Sequence, residues 1–266
     1  MWWPKVRRVG LASDRLFLAP AAVRRGGACR EIPVATAGDG PAWQPAVQAL
    51  VAALRQDGQR GARLHVILGG DYVRWKLLDI PPGVKTATER EAFAAFSFRS
   101  TYGEVEMPWS VQVAAQPAGW PTPACAVDAG LLAALTHACG EAGVRLASLT
   151  PYFAAAFDHW RHRLNSETAW FCLREPQTLT LGLAAAGRWV GLQSRACADD
   201  WRDVLALMQA QLAIPAGLAG RPAAFHLVNR ADAQDQRSAT TGEPLVLAPP
   251  THWPEPAVRC RMAYGI

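Results

Sequence analysis

LHVILGGDYVRWKLLDIPPGVKTATEREAFAAFSFRSTYGEVEMPW, the segment from Leu64 to Trp109, sets the organisation of the whole chain. An apolar run from Leu64 to Leu68 leads through a Gly-Gly-Asp turn into an alternating run from Tyr72 to Ile80. A continuous apolar run predicts a strand covered on both faces, whereas alternation predicts a half-exposed strand. The sequence therefore predicts that these two strands form a hairpin.

An aromatic-rich helix is predicted directly after the hairpin, from Glu89 to Thr101. Thr88 and Glu91 have the spacing of a capping box, which would fix where the helix begins. Phe98 and Tyr102 lie on roughly the opposite face from the two other phenylalanines of this helix. Aromatic rings on two faces predict two packing partners. One is the sheet of this module, and the other is a neighbouring chain. In the alternative, the helix frays near its end and Phe98 or Tyr102 folds back into the same core.

Composition narrows the class of protein. Half of the 266 residues are apolar, only 18% are charged, and 11 are tryptophan, which predicts a folded chain with surface covered by a partner. The net charge is +5, but the arginines are scattered, so nucleic-acid binding is not predicted. The sequence shows no signal peptide, no apolar run of about 18 to 20 residues and no C-x-x-C pair, which predicts a cytoplasmic, soluble, reduced protein.

The same order of elements is predicted on both sides of the opening segment. Before it come a hairpin, a third strand and a helix, and after it come a three-stranded meander, a helix and a buried strand. The predictions are a turn at Ala12 to Arg15, a strand at Cys29 to Ala35, a helix at Ala42 to Gln56, strands at Thr168 to Leu173, Thr178 to Leu183 and Trp189 to Arg195, a helix opening at Asp199, and strands at Ala223 to Val228, Pro244 to Leu247 and near Arg259 to Met262.

Five segments spread over residues 6–230 carry a resemblance to a known family. They are, in order, VGLASDRLFLA, LHVILGGDYVRWKLLDIP, EREAFAAFSFRSTYGE, ACAVDAGLLAALTHACGEAGVRLASLTPYFAAA and TAWFCLREPQTLTLGLAAAGRWVGLQSRA. In this order the sequence resembles the PilM and GspL family, the actin-like cytoplasmic proteins of type IV pilus and type II secretion assembly platforms, which are similar to FtsA. The resemblance implies an α/β, actin-like (ribonuclease H-like, duplicated) fold with an inserted β-α-β-β-α subdomain and a reduced second half.

The resemblance also implies a division of the chain into domains. Residues 1–68 would form the first actin-like subdomain, and residues 69–148 the inserted subdomain where a partner docks. Residues 149–266 would form the second actin-like subdomain with an irregular C-terminal segment.

The hairpin turns depart from the pattern of the nucleotide-binding members of this family, which place Asp and Gly there to hold phosphates. The first turn is Ala12-Ser13-Asp14-Arg15 and the second is Arg174-Glu175-Pro176-Gln177, and neither contains glycine. Proline also removes an amide donor that a phosphate would need. The sequence therefore predicts no tight ATP or magnesium binding, no hydrolysis and no other cofactor. Asp14 is the one candidate for a surviving phosphate-loop carboxylate, with a simple turn residue as the alternative.

No catalytic or metal-binding constellation is predicted. His159 and His162 are three residues apart on a helix, a spacing that suits a metal, but no acidic or Cys partner lies nearby in sequence. His137 and Cys139 point apart on their helix, so they do not form a nucleophile and base. A sugar-kinase-like enzyme would need a catalytic Asp in a matching motif, and none is present.

The family's inserted subdomain is where the short cytoplasmic N-terminal tail of a membrane-anchored partner docks, or where protomers meet. Trp75, Phe98, Tyr102 and Trp109 crowd this module and are the predicted partner-binding residues, with packing in its own core as the alternative. The predicted function is a non-enzymatic scaffold that reaches the inner membrane through an inner-membrane pilus or secretion protein, with a homodimer as a further assembly. The alternative is an ATP-binding actin-like protein whose assembly depends on nucleotide.

Overall fold

The structure is a computed structural model that describes residues 6–20, 29–35, 38–58, 60–103, 108–117, 119–164, 166–197, 200–230, 245–247 and 261–266. Its strands are β1 (Val6–Leu11), β2 (Arg15–Leu18), β3 (Arg30–Pro33), β4 (Arg63–Leu68), β5 (Val73–Leu78), β6 (Trp109–Val113), β7 (Thr122–Asp128), β8 (Arg145–Pro151), β9 (Thr168–Arg174), β10 (Thr178–Ala185), β11 (Arg188–Ala196), β12 (Ala224–Asn229) and β13 (Leu245–Val246). Its α-helices are α1 (Gln44–Asp57), α2 (Ala87–Tyr102), α3 (Ala129–Glu141), α4 (Tyr152–Trp160), α5 (Trp201–Ala213) and α6 (Arg261–Tyr264).

Internal contacts divide the chain into two compact units. The first contains Met1–Tyr72, Ala129–His159 and Pro249–Ile266, and the second contains Val73–Asp128 and Trp160–Ala248. In the described ranges of both units, no helix has the length and apolar character needed to cross a membrane.

The first unit is built on a five-stranded sheet in the order β3-β2-β1-β4-β8. The first three strands form an antiparallel meander, and β1, β4 and β8 run parallel. This arrangement confirms the predicted hairpin around residues 12–15 and its third strand. Helices α1 and α3 supply the apolar core on one face, where Leu50, Leu131 and Leu135 are fully buried.

Strand β4 is buried on one face only. Leu64, Val66 and Leu68 are buried, whereas His65 and Ile67 between them are half-buried. The prediction that this apolar run is covered on both faces was therefore wrong, because α1 and α3 cover a single face of the sheet.

Two further expectations about the first unit need correction. A strand was predicted near Arg259 to Met262, but the described residues there form the short helix α6. The helix packs so closely on β1 that a Cβ added at Gly10 would lie 2.8 Å from Cγ of Met262. The opening segment was also predicted to contain a hairpin, yet β4 and β5 belong to different sheets. Both edges of β4 are occupied by parallel partners, so the Gly-Gly-Asp segment is a link between sheets.

The second unit repeats the plan of the first. Its larger sheet has the order β11-β10-β9-β12-β13, with an antiparallel meander followed by two parallel strands. Helix α5 covers one face, and its Met208 is fully buried against Leu181 and other residues of the sheet. The predicted meander, helix and strand are confirmed, and so is the predicted duplication. The expected helix start at Asp199 lies outside the described residues, and the helix begins at Trp201.

The cysteines correct one expectation and confirm another. Cys139 and Cys172 are free and buried, and Cys197 is buried as well, as expected of small apolar side chains. Burial raises the pKa of the Cys139 thiol to about 11, which keeps it protonated and unreactive at neutral pH. Cys29, however, is disulfide-bonded, so the expectation of a fully reduced chain was wrong. This bond could not be predicted from cysteine spacing, because disulfide pairing depends on residues that meet in space.

His226 in β12 makes the stability of the second unit depend on pH. The residue is only 4% exposed, and neither ring nitrogen has a hydrogen-bond partner among the described residues. Burial lowers the pKa of His226, so the unfolded chain binds a proton that the folded chain resists. Above the unfolded pKa of about 6.5 the ring is neutral in both states, and the folded state keeps its full stability. As pH falls below that value, the unfolded chain takes up a proton first, and the free energy of unfolding decreases.

We therefore expect the melting temperature to fall between pH 7.5 and 5.5, and to fall less in His226→Leu. The matched control is His137→Leu, because the His137 side chain is 78% exposed and should leave the pH dependence unchanged. Thermal unfolding of the three proteins at both pH values makes the comparison. Parallel pH profiles for wild type and His226→Leu would show that this ring does not set the dependence.

Candidate partner-binding site

Residues Val73–Asp128 of the second unit form a small module of one helix on one sheet. The sheet has the order β5-β7-β6, with every pair antiparallel and β7 in the centre. Helix α2 packs on this sheet and buries Ala94 and Phe98 against Leu78 and Ala126. The module therefore has an apolar core of its own.

A capping box fixes the start of α2. The side-chain oxygen of Thr86 accepts a hydrogen bond from the Glu89 amide (3.2 Å), and the Glu89 carboxylate accepts one from the Thr86 amide (2.9 Å). These backbone hydrogen bonds lower the pKa of Glu89. The predicted capping pair, Thr88 with Glu91, was wrong by two residues, because both pairs have the same sequence spacing and only Thr86 has the extended backbone of a cap.

The four predicted partner-binding residues lie close together. The Phe98 and Tyr102 rings stack with centroids 6.0 Å apart, and the Tyr102 and Trp109 rings lie 6.3 Å apart. The Tyr102 hydroxyl donates a hydrogen bond to the Trp75 carbonyl oxygen at 3.3 Å. Strand β5, the end of α2 and the start of β6 are thus joined through one group of aromatic residues.

Their exposure differs sharply. Phe98 is fully buried and Trp75 is 8% exposed, so neither ring offers a surface to a partner in this conformation. Tyr102 is 39% exposed and Trp109 is half-buried. The part of this group that a partner could contact is therefore the face of Tyr102 and Trp109, held in place by the other two residues.

Lys76 of β5 joins the sheet to the C-terminal part of α2 through two hydrogen bonds. Its Nζ donates to the Ser97 carbonyl oxygen at 2.9 Å and to the Thr101 hydroxyl at 2.6 Å. Burial lowers the pKa of the Lys76 amine, since part of its hydration is replaced by these contacts. The C-terminal turn of α2, which carries Tyr102, is thereby fixed to the sheet.

Strand β6 presents an open edge next to Tyr102. It pairs with β7 on one side, and no strand in the described part of the chain pairs with its other side. Its sequence, Trp-Ser-Val-Gln-Val, contains neither a charge nor a proline. Natural edge strands usually carry such residues to prevent pairing with another chain. The indole N–H of Trp109 is buried and has no acceptor among the described residues.

Sequence reasoning missed two features of this module. Phe96, on the outer side of α2, is 65% exposed, although it was grouped with the packing aromatics. A concavity of about 270 Å³ is lined by Ile80, Pro82, Trp120 and neighbouring residues. The Arg188 guanidinium stacks on the Trp120 ring at 3.9 Å, and the sequence separation of the two residues hid this contact.

The two hairpin turns where the sequence resemblance would place phosphate-binding residues make contacts within the protein. In the first unit, the Asp14 carboxylate accepts a hydrogen bond from Nε of Arg15 at 2.8 Å. The Ser13 hydroxyl in the same turn donates to the Asp71 carboxylate. In the second unit, the Glu175 amide donates to the Thr178 carbonyl oxygen at 2.8 Å. The polar groups named in these two turns are thus engaged by other groups of the protein.

Metal ligands do not converge in the part of the chain that the structure describes. No group of three or more His, Cys, Asp or Glu side chains there has the geometry to hold a metal ion. His162 stacks on Trp160, with ring centroids 6.5 Å apart.

Comparison with known proteins establishes the fold. No family model matches the sequence, and no curated protein matches it either. Solved structures do match. A Bacteroides thetaiotaomicron protein with an actin-like ATPase fold superimposes with a TM-score of 0.59 at 10% identity, covering 86% of this chain and 84% of that one.

Two more matching solved structures are a type IV pilus biogenesis protein and a type II secretion protein. A chain of the PilM-PilN type IV pilus biogenesis complex superimposes with a TM-score of 0.56 at 14% identity, covering 85% of this chain and 80% of that one. The cytoplasmic domain of EpsL, an inner-membrane component of the type II secretion system of Vibrio cholerae, gives 0.49 at 14% identity, covering 84% and 81%. The chain has the actin-like ATPase fold, which confirms the predicted fold class.

Proposed function

We propose that this protein is a non-enzymatic scaffold of a type IV pilus or type II secretion assembly platform, on the cytoplasmic side of the inner membrane. It binds the cytoplasmic tail of a membrane-anchored partner. The observation that carries the proposal is the open, uncharged edge of β6 beside Tyr102 and Trp109. The likeness to a chain solved in complex with PilN adds support for a partner of this kind.

The mode of binding follows from the edge. An extended tail can add a strand to β6, because the free N–H and C=O groups of an edge strand pair with any extended backbone. Sequence preference then comes from side chains of the tail that pack on the half-buried rings. Tyr102 supplies most of this apolar contact, since its ring is the more exposed of the two.

The binding test first identifies a single-span membrane protein encoded by a neighbouring gene, and then uses a synthetic peptide with its cytoplasmic N-terminal sequence. Wild type should bind it, and Tyr102→Asp should weaken binding by roughly tenfold or more, because a charge replaces the apolar contact. Ile214→Asp is the matched control, since Ile214 is 66% exposed and directly follows the last residue of α5, outside the module. Equal loss in the two variants would exclude the proposed surface.

The alternative function is nucleotide-dependent assembly, which the actin-like ATPase fold and Asp14 favour. We expect ATP with magnesium to change the melting temperature by no more than about a degree. The Asp14 carboxylate is already bound by Arg15, and Pro176 has no backbone N–H to donate to a phosphate. A rise of several degrees that is abolished by Asp14→Ala would support the alternative. The comparison needs only thermal unfolding with and without the nucleotide.

A further inference from the structure

The face of the first unit's sheet opposite α1 and α3 carries a concentrated positive charge. In the parallel register, Arg63 of β4 lies beside Arg145 of β8, and Arg8 of β1 lies beside His65 of β4. Arg63 and His65 are two residues apart on one strand, so they point to the same face. Like charges on neighbouring strands repel, and this placement costs stability unless something compensates it.

No carboxylate compensates these arginines within the described residues. Other arginines of the same unit have acidic partners. Arg7, next in sequence to Arg8 but on the opposite face, pairs with Asp57 at 2.8 Å, and Arg55 pairs with Glu141 at 3.5 Å. Arg8 instead lies over the Tyr264 ring of α6, 5.9 Å from its centroid. The uncompensated charges of Arg8, Arg63 and Arg145 thus lie together on one face of this unit.

A β-bulge lies beside a concavity on this face. The register between β4 and β8 shifts after Leu64, so Ala147 has no partner and Ser148 lies opposite His65. Nδ1 of His65 and the Ser148 hydroxyl are 2.8 Å apart. Arg63, His65, Arg145 and Ala147 line a concavity of about 240 Å³. Bulges often re-aim side chains at functional positions.

We propose that this concavity binds a phosphate group, held by the guanidinium forks of Arg63 and Arg145 with Arg8 and His65 completing the positive field. Guanidinium groups match the planar oxygen pairs of phosphate and donate two parallel hydrogen bonds to each. The volume is below the ~300 to 1,000 Å³ of typical ligand pockets, which limits the ligand to one phosphate and a small attached group. The group is either a small soluble phosphate compound or an anionic phospholipid headgroup.

His65 makes this binding depend on pH. Burial and then the charges of Arg8 and Arg63 lower the pKa of His65. The other groups that face it are Arg145 and Ser148 of β8, and α6 contributes Tyr264 behind Arg8. A bound dianion would cancel the repulsion and favour protonated His65. Phosphate should therefore bind more tightly as pH falls from about 8 to about 6.

The test titrates the full chain with inorganic phosphate by calorimetry at low salt. Arg145→Gln should lose about tenfold in affinity, the effect of losing charge-assisted hydrogen bonds. Arg55→Gln is the matched control, because it removes the same charge from an exposed side chain of the same unit and should leave affinity unchanged. His65→Gln should bind with little pH dependence. Equal losses in Arg145→Gln and Arg55→Gln would overturn the proposal, since they would show non-specific attraction.

A vesicle arm separates the two sources of phosphate. Vesicles of phosphatidylglycerol and of phosphatidylcholine are sedimented with the wild type and both variants. Binding to phosphatidylglycerol alone, lost in Arg145→Gln but kept in Arg55→Gln, assigns the site to a lipid headgroup. Binding of free phosphate without vesicle binding assigns it to a soluble compound. Absence of both kinds of binding overturns the proposal and leaves the scaffold role unaffected, because the β6 edge belongs to the other unit.

Discussion

Replacing Phe98 by alanine is expected to lower the free energy of unfolding of the Val73–Asp128 module by about 3 to 5 kcal/mol. The side chain is fully buried between α2 and its sheet, and its ring stacks on Tyr102. Removing it leaves a cavity in a small core that few other large side chains can fill. Urea unfolding followed by tryptophan fluorescence measures the loss, because Trp75 and Trp109 belong to this module.

Phe96→Ala is the matched control for this prediction. It makes the same chemical change on the same helix, but Phe96 is 65% exposed and should cost less than about 0.5 kcal/mol. Similar losses in the two variants would show that Phe98 contributes helix propensity and no packing. A large loss for Phe98→Ala would also explain any loss of partner binding in that variant as a folding defect.

Replacing Arg230 by methionine is expected to destabilise the second unit by about 3 to 5 kcal/mol. Nε of Arg230 lies 3.7 Å from a Glu175 carboxylate oxygen, and the two side chains are only 6% and 1% exposed. The variant removes the cation and leaves a buried carboxylate without it, which is the costly way to break such a pair.

Arg55→Met provides the contrast for this second prediction. Arg55 pairs with Glu141 at 3.5 Å, but the two side chains are 66% and 46% exposed. Water solvates both charges there, so the pair contributes about 1 kcal/mol or less. Chemical unfolding of both variants should separate them clearly. Equal, small losses would mean that water or another group already solvates Glu175 in the folded protein.

Periodicity and turn chemistry predicted much of the fold from the sequence. Three consecutive strand-length runs between Thr168 and Arg195 identified the meander. The i, i+3, i+4 spacing of apolar residues identified α1, because such spacing places them on one helix face. The repeated order of elements was also readable. Each of these features depends on residues close together in sequence.

The errors concern features that depend on distant residues. The hairpin predicted at Gly69 to Asp71 did not form, because β1 and β8 occupy the edges of β4 and come from far along the chain. The capping box was misplaced for a local reason, since two Thr-x-x-Glu pairs overlap in the sequence.

The aromatic-rich module could be recognised from the sequence, but the exposure of each aromatic ring could not. The crowding of Trp75, Phe98, Tyr102 and Trp109 pointed to this module as an aromatic-rich region, but helical angles could not tell which rings are covered by the module's own sheet. Phe98 is covered, whereas Tyr102 remains partly exposed. The open edge of β6 could not be predicted, because a free edge is defined by strands that do not pair.

The central claim is that a partner's extended tail pairs with β6, and amide hydrogen exchange tests it most directly. The full chain is compared with and without the synthetic tail peptide, at a concentration that saturates binding. We predict that exchange slows in residues 109–113, because amides on the open edge gain hydrogen bonds, while the central strand β7 changes little. Saturating binding that leaves exchange in residues 109–113 unchanged would contradict the account.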